Sequence, residues 1–481
     1  MILRDKIYIN TSELGYHVSS LCEQFTYKNP EIFHKKRLKL SIKNTPPYLY
    51  HYKIGDSSFG KVVQIPRGGL DKVIAFYKRN NLPFRLIDQR VEHPPIDVHL
   101  IDTTLDKHQE RVANILVKNE GGLIEVPPGA GKTVLSLGVV ALVRQPTLII
   151  VHEHRLSDQW MTEIKKRLSG NYKLGKYDGD IKKDGDIVVG IINSLYNLYQ
   201  ENPQFFDKFG MVITDEIQHV PSEMFLSVLN NLPAKYRIGV TGTVKRKDQK
   251  EILTYDVLGK LLIKLDAGDL KHRITSFDYR IVNTNIDMEI PTTFRWTGQK
   301  RENVINVTEL LTQLTDNTER NTIIVQEAVN LIQRGYFPLI LSDRVRHNES
   351  LHEHLLSLGF KTVLMIGKTR KKANWEEIRN DATIQCIVAN SRIASEGLDL
   401  PRLSALLLTC PSTNVHKLKQ QVGRIRRVFE GKPLPLVVDF CDNLAYSTTT
   451  TGYLLSHMTK TRIRFYEELR CNYDKTTEDD L

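Results

Sequence analysis

The stretch GLIEVPPGAGKTVLSLG, residues 122–138, passes from a short apolar run through a proline- and glycine-containing turn into a second apolar run. A strand, a tight loop and a crossover helix are the elements this order predicts. In such an arrangement the loop Pro127–Gly131 presents backbone N–H groups to phosphate oxygens, and the helix adds its positive end. Pro128, Gly129, Ala130 and Gly131 then form the cradle. Lys132 reaches the β and γ phosphates of a nucleotide, and the Thr133 hydroxyl is placed to ligate Mg2+. The GxxxxGKT pattern has glycine at its first position, and here that position holds Val126. The bland alternative is a chance loop before a helix. Its setting between a buried strand and an apolar helix argues against that.

Working outward, four more apolar runs follow at crossover spacing: TLIIV (147–151), IVVGII (187–192), MVIT (211–214) and RIGVT (237–241). They are apolar throughout, as buried parallel strands are, and do not alternate as half-exposed strands do. A second series restarts after residue 320, with PLILSD (338–343), KTVLMIG (361–367), QCIVAN (385–390), ALLLTCP (405–411) and PLVVDFC (435–441). The fold class expected is α/β, with two tandem doubly wound parallel-sheet domains at 96–250 and 321–450. Residues 1–95 are richer in proline and aromatics and predict a small α+β or β-rich module. Residues 251–320 are polar and irregular and read as a connecting segment. Residues 451–481 predict a helix and an acidic tail.

The chain has 481 residues, of which 41% are hydrophobic, enough for several cores. No apolar run reaches membrane-spanning length, and MILRDKIYIN has charges where a signal peptide needs an apolar stretch. A soluble, cytoplasmic monomer with no membrane partner is expected. The five cysteines are dispersed, which excludes zinc-ribbon and CxxC redox patterns. Lys and Arg exceed Asp and Glu by 11, and residues 1–100 hold sixteen basic and nine acidic residues. That excess suits a polyanion, nucleic acid by default, although charge alone also serves solubility.

A phosphate loop needs a second cation anchor on a neighbouring strand. VITDEIQHVP (212–221) supplies Asp215 for Mg2+ and Glu216 to polarise an attacking water. Two adjacent carboxylates repel, and a divalent cation relieves the repulsion. An exposed acidic turn is the alternative. Further on, QQVGRIRR (420–427) carries Arg424 and Arg427, expected on one face of a helix. Their guanidinium forks suit charge on a transferring phosphoryl group.

Taken together, residues 100–445 resemble a superfamily 2 helicase of the DExH kind, closest to the XPB/UvsW-like DNA helicases and their phage and large-virus members. LDKHQERV, EVPPGAGKT, TLIIVHEHRLSDQW, DEIQH, GVTGTVKR, DNTERN, ASEGLDLP (394–401) and QQVGRIRR are similar to that family's motifs and stand in its order. The resemblance implies two RecA-like domains, ATP and Mg2+ as cofactors, and movement on single-stranded, forked or branched DNA, with RNA the weaker candidate. It implies an adenine-side role for Gln109, contacts to the nucleotide from Gly397 and Asp399, and a γ-phosphate role for Gln420 beside Arg424 and Arg427. His219, Thr241 and Thr243 are implied to couple hydrolysis to strand movement. Arg155, Gln159, Trp160, Ser194 and Asn390 are implied to contact nucleic acid.

Departures from the family pattern fall at Gly242 and Val244 in the GVTGTVKR motif, at Ile191, and at Asn390, where threonine is common. Two alternatives to a helicase stay open: the motor of a restriction system, which needs a nuclease module that no convincing PD…ExK-like cluster supplies, and a factor that uses translocation to displace a polymerase. In the first module Tyr48, Tyr50, Tyr52, Phe59 and Phe76 are interleaved with the basic residues. A small aromatic core is the favoured reading of these rings, and DNA binding the favoured reading of the charge.

Overall fold

Runs such as IVVGI (Ile187–Ile191) and MVITD (Met211–Asp215) have every residue buried, as strands covered on both faces must. In the computed structural model they lie in an eight-stranded sheet. The structure describes the chain apart from residues 38–40, 59, 221, 245–247, 266–267, 272, 287, 289–290, 298–299, 368–374, 392–399, 443–449 and 475–481. The chain forms two compact units, Met1–Val126 with Gly131–Leu265, and Asp266–Leu481 with the short loop Pro127–Ala130.

In the first unit the sheet order is Ile181–Lys183, Leu174–Asp178, Ile187–Ile191, Thr147–Val151, Met211–Asp215, Tyr236–Thr241, Gly121–Glu125 and Leu261–Lys264. All neighbours are parallel except the hairpin Leu174–Asp178/Ile181–Lys183 at one edge. The Met211–Asp215 and Gly121–Glu125 strands thus stand one strand apart, with Tyr236–Thr241 between them. Close approach there needs glycine. A Cβ on Gly121 would sit 2.0 Å from the Arg237 carbonyl oxygen.

Residues 1–95 contribute a mixed five-stranded sheet, ordered Lys53–Ser57, Gly60–Pro66, Lys6–Asn10, Ile2–Leu3 and Ile87–Asp88. It packs with the Leu70–Arg79 helix around Ile7, Ile9, Phe25, Val63, Ile65, Val73 and Phe76. Of the aromatics expected to form a core, Phe76 does so and Tyr52 packs against it. Tyr48 and Tyr50 instead stand exposed, because among the described residues their short Tyr48–Tyr50 strand pairs with Thr26–Lys28 alone. Phe59 lies outside the described residues.

The second unit holds a six-stranded parallel sheet, ordered Asp278–Asn283, Leu436–Cys441, Ala405–Leu408, Pro338–Ser342, Cys386–Asn390 and Thr362–Met365. The stretch 251–320, expected as a connection, is divided between the sheets. Its Leu261–Lys264 strand extends the first and its Asp278–Asn283 strand the second. Short polar-flanked edge strands carry a weak apolar signal, which is why they read as linker. The closing helix Thr450–Asp474 is pinned by Arg462, which donates from Nε to Asp439 Oδ2 at 2.6 Å, and by Tyr466, whose hydroxyl donates to the same oxygen at 2.8 Å.

Candidate active site

The Gly121–Glu125 strand leads into the loop, and the Lys132–Val143 helix leaves it. Gly129 and Gly131 have φ of 88° and 82°, a left-handed backbone that side-chain-bearing residues adopt at a cost. Gly131 caps the helix, so Lys132 and Thr133 open its first turn beside the positive end of the helix. Lys132 Nζ donates to Glu216 Oε1 at 2.8 Å.

Asp215 ends its strand, buried, and Glu216 begins the turn with φ of 53°. A non-glycine residue held there stores on the order of 1 kcal/mol or more, and the fold tolerates it where it aims a carboxylate at the loop lysine. Asp215 Oδ1 accepts the Glu216 N–H at 2.9 Å, and Oδ2 accepts the Trp160 indole N–H at 3.0 Å. Burial pushes the Asp215 carboxyl above the ordinary carboxylate range; Lys132 opposes the rise and Glu216 adds to it. Such a carboxyl gains most from a nearby cation. Asp215, with the Thr133 hydroxyl, could hold a divalent ion. Among the described residues no group of three or more His, Cys, Asp or Glu side chains is arranged for a metal. This donor set suits an ion that takes most of its oxygens from phosphate and water, as Mg2+ does.

Gln109 is buried at the start of the Lys107–Lys118 helix. Its Oε1 accepts the Asp106 N–H at 3.2 Å and its Nε2 donates to the Gly131 carbonyl at 3.5 Å, so it closes a capping box and touches the end of the loop. Thr241 Oγ1 donates to the Thr243 carbonyl at 2.8 Å and accepts the Thr243 N–H at 3.1 Å, tying that turn to itself. His219 stacks on His152, with ring centroids 4.0 Å apart. His152 directly follows the Thr147–Val151 strand.

Trp160 was expected at the nucleic-acid face and is instead buried against the acidic pair. On the His154–Arg167 helix the buried positions are Ser157, Trp160 and Ile164, one stripe at helical spacing. Arg155 and Gln159, on the same helix, are partly exposed. Ser194 Oγ accepts the Gly179 N–H at 2.9 Å, pinning the turn of the edge hairpin. Glu125 is a further residue of this region, with no role of its own in the motif pattern. It is buried at the end of its strand, and its Oε2 accepts the Val244 N–H at 3.1 Å, joining the strand before the loop to the segment after Thr243. A carboxylate closing an otherwise apolar run was the signal available.

In the second unit Gln420 and Arg424 lie on the Val415–Ile425 helix, both partly exposed. Arg427 does not share that helix. The helix stops at Ile425, and Arg427 pairs in an isolated bridge with Ile274. The reason is competition for the backbone. The Arg426 carbonyl accepts the Thr275 N–H at 2.7 Å, and Arg426 Nε donates to the Thr275 carbonyl at 2.8 Å, so no further turn forms. Asn390 Nδ2 donates to the Asp343 carbonyl at 3.4 Å. Gly397 and Asp399 lie outside the described residues.

Residues 98–246 match the family model of the type III restriction enzyme res subunit, and residues 306–429 that of the helicase conserved C-terminal domain. The "Probable helicase D10" of Escherichia phage T5 is 27% identical over 411 residues, covering 82% of this chain and 83% of its own. The "DNA 3'-5' translocase XPB2" of Sulfurisphaera tokodaii is 27% identical over 225 residues, 46% of this chain and 47% of its own. Among solved structures, the ATP-dependent type ISP restriction-modification enzyme LlaBIII bound to DNA has a TM-score of 0.53 at 14% identity, covering 83% of this chain and 33% of that one. Two RecA-like domains, each matched by a family model and standing in the expected order, identify the chain as a superfamily 2 helicase-like protein, an enzyme with ATP-dependent helicase or translocase activity on nucleic acid.

Proposed function

We propose that the chain is an ATP-dependent DNA helicase or translocase that unwinds or remodels forked or branched DNA. The observation that carries the hydrolytic part is the Lys132–Glu216 ion pair beside the buried Asp215. An arriving triphosphate competes for the Lys132 ammonium and releases Glu216. The freed carboxylate is then available to take a proton from the attacking water. Backbone N–H groups of Gly129, Ala130 and Gly131 and the helix end hold the phosphates, with Pro128 shaping the loop, and Gln109 borders it. Asp215 and Thr133 are assigned to Mg2+, which when bound supplies charge neutralisation on the phosphates. Gln420, Arg424 and Arg427 are assigned to the phosphoryl group in flight, with Gly397 and Asp399 on the nucleotide. Stacked His152 and His219 are assigned, with Thr241 and Thr243, to passing the nucleotide state to the strand-binding surface. Arg155, Gln159, Ser194 and Asn390 remain assigned to that surface.

DNA is preferred because relatives such as the archaeal translocase carry DNA in their printed names and because the first hundred residues are basic. The same relative supports 3′-to-5′ travel. A restriction motor is the second reading, favoured by the match over residues 98–246.

The test is ATPase activity of the full chain and of Lys132→Ala with single-stranded DNA, forked DNA, Holliday junction and RNA. Lys132→Ala is expected to lose activity by about 10²-fold or more, and DNA is expected to stimulate the wild type. No stimulation by any nucleic acid would sink the proposal. Stronger stimulation by RNA would reverse the DNA assignment, and stimulation without strand separation would favour translocation alone.

A further inference from the structure

A groove of about 630 Å³ opens within the first unit, where the N-terminal sheet meets the motor domain. Its floor is apolar, from Leu49, Pro66, Leu226 and Leu253. Its lining also holds Lys6, Lys53, Lys250 and Glu223; Lys6 pairs with Asp5 at 3.1 Å and Lys250 with Glu31 at 3.4 Å, while Lys53 is exposed. Tyr50 stands at its edge and is 62% exposed. Its ring meets Tyr52 edge-on at 6.1 Å and Tyr48 at 6.4 Å, so three aromatic rings neighbour one another along residues 48–52. Lys6 and Lys53 of the basic N-terminal module and its Tyr50 and Tyr52 thus line one concave place.

Two further side chains of the lining are incompletely bonded. His51 is 9% exposed, and its Nδ1 lies 3.0 Å from Asp256 Oδ2, while its Nε2 has no hydrogen-bond partner among the described residues. Asn230 Oδ1 is likewise without one. Buried polar atoms are rarely left so.

We propose that this groove binds an unpaired segment of single-stranded nucleic acid, with a base stacked on Tyr50 and the backbone phosphates beside Lys53 and Lys250. The inference rests on the reading of nucleic acid as the substrate and adds a second grip, apart from the surface assigned above. Charge complementarity selects a polyanion. The exposed rings of Tyr48 and Tyr50 select unpaired bases, because bases in a duplex are already stacked and offer no free face. The apolar floor and the amides of Gln64, Asn230 and Asn231 suit one planar heterocycle with a polar edge.

The experiment measures binding of a fluorescein-labelled single-stranded oligonucleotide by anisotropy across a salt series. It uses the full chain as wild type, Tyr50→Ala, Tyr50→Phe and Lys53→Ala, with the duplex of the same sequence in parallel. Tyr50→Ala is expected to weaken single-strand binding about tenfold, and Tyr50→Phe to restore it. Lys53→Ala is expected to reduce the slope of log affinity against log salt by about 0.7. Wild-type affinity and slope in both Tyr50→Ala and Lys53→Ala would overturn the groove, as would an equal loss on duplex. Should Tyr50→Ala fail to fold, Tyr50→Phe and the Lys53→Ala slope still decide. Nucleic-acid-stimulated ATPase in the wild type separates the outcomes. If it is present while the variants bind normally, only the groove is wrong; if it is absent, the proposed function has failed.

Discussion

Asp215 is the residue at which burial, charge and hydrogen bonding oppose one another most directly. Burial disfavours its charged form, while Lys132 and the Trp160 indole N–H favour it. Removing the indole donor leaves burial with less opposition, so Trp160→Phe raises the Asp215 pKa further. The group must be ionised to hold a cation, and it is protonated below its pKa. The acidic limb of the kcat/KM profile is therefore expected to move to higher pH, with little change on the alkaline side. An unmoved limb would show that the indole does not tune the acidic pair. DEIQH announced the pair in the sequence. Trp160 did not announce its partner, because the fold brings residues 55 positions apart together. Only the stripe Ser157, Trp160, Ile164 pointed inward, and it competed with a motif resemblance that pointed outward.

Elements in the second unit are joined by buried polar side chains that the apolar pattern does not reveal. His347, on the Val345–Ser357 helix, has Nδ1 2.9 Å from Ser342 Oγ and Nε2 2.8 Å from Asn321 Oδ1. An amide oxygen only accepts, so Nε2 bears the proton and Nδ1 accepts from the serine hydroxyl. Burial, helped by nearby Arg320, lowers the His347 pKa to about 3. The unfolded chain takes up a proton near 6.5, so stability is fully present above that pH and is lost as pH falls from there towards 3. Between about pH 6.5 and about pH 4.5 the loss from this one group is about 2 kcal/mol. His347→Gln is expected to be less stable at neutral pH but to lose about that much less on acidification. Urea unfolding at the two pH values checks it. Equal pH dependence in both proteins would refute the assignment. The helix Val415–Ile425 carries a related lesson. Its sequence supports another turn, yet pairing of Arg426 with Thr275 ends it and separates Arg427 from Arg424.

On the scale of the whole first unit, residues 1–95 are latched to the motor domain through its interior. Asp256, fully buried, accepts from Tyr27 Oη at 2.6 Å and from Lys72 Nζ at 2.7 Å, with His51 Nδ1 at 3.0 Å. Burial alone would raise its pKa, and these three bonds outweigh burial and hold it below the ordinary range. Arg67 donates to the Lys235 carbonyl at 3.2 Å, and Arg237 donates to the Asp5 carbonyl at 2.9 Å, each guanidinium buried. Deleting residues 1–95 leaves Asp256 and Arg237 short of partners in a low-dielectric setting. The truncated chain is expected to aggregate or melt well below the full chain. Asp256→Ala in the full chain is expected to cost about 3 kcal/mol without removing ATPase activity at low temperature. Thermal unfolding measures both. A truncated chain that melts cooperatively at the wild-type temperature would contradict the latch. Among the described residues no helix is long and apolar enough to cross a membrane.

The sequence by itself determined the two doubly wound sheets and the order of the phosphate loop, the acidic pair and the arginine segment. Those features are local, being apolar runs of strand length and short motifs whose chemistry depends on neighbours one to four residues away. Tertiary structure alone decided that Trp160 faces Asp215, that Glu125 joins two strand ends, that Arg427 leaves the helix, and that Tyr50 and Tyr52 line one groove with Lys6 and Lys53. Each of these depends on pairing between residues far apart in the chain. Loop closure and competition for backbone hydrogen bonds settle such pairing, and no local pattern encodes it.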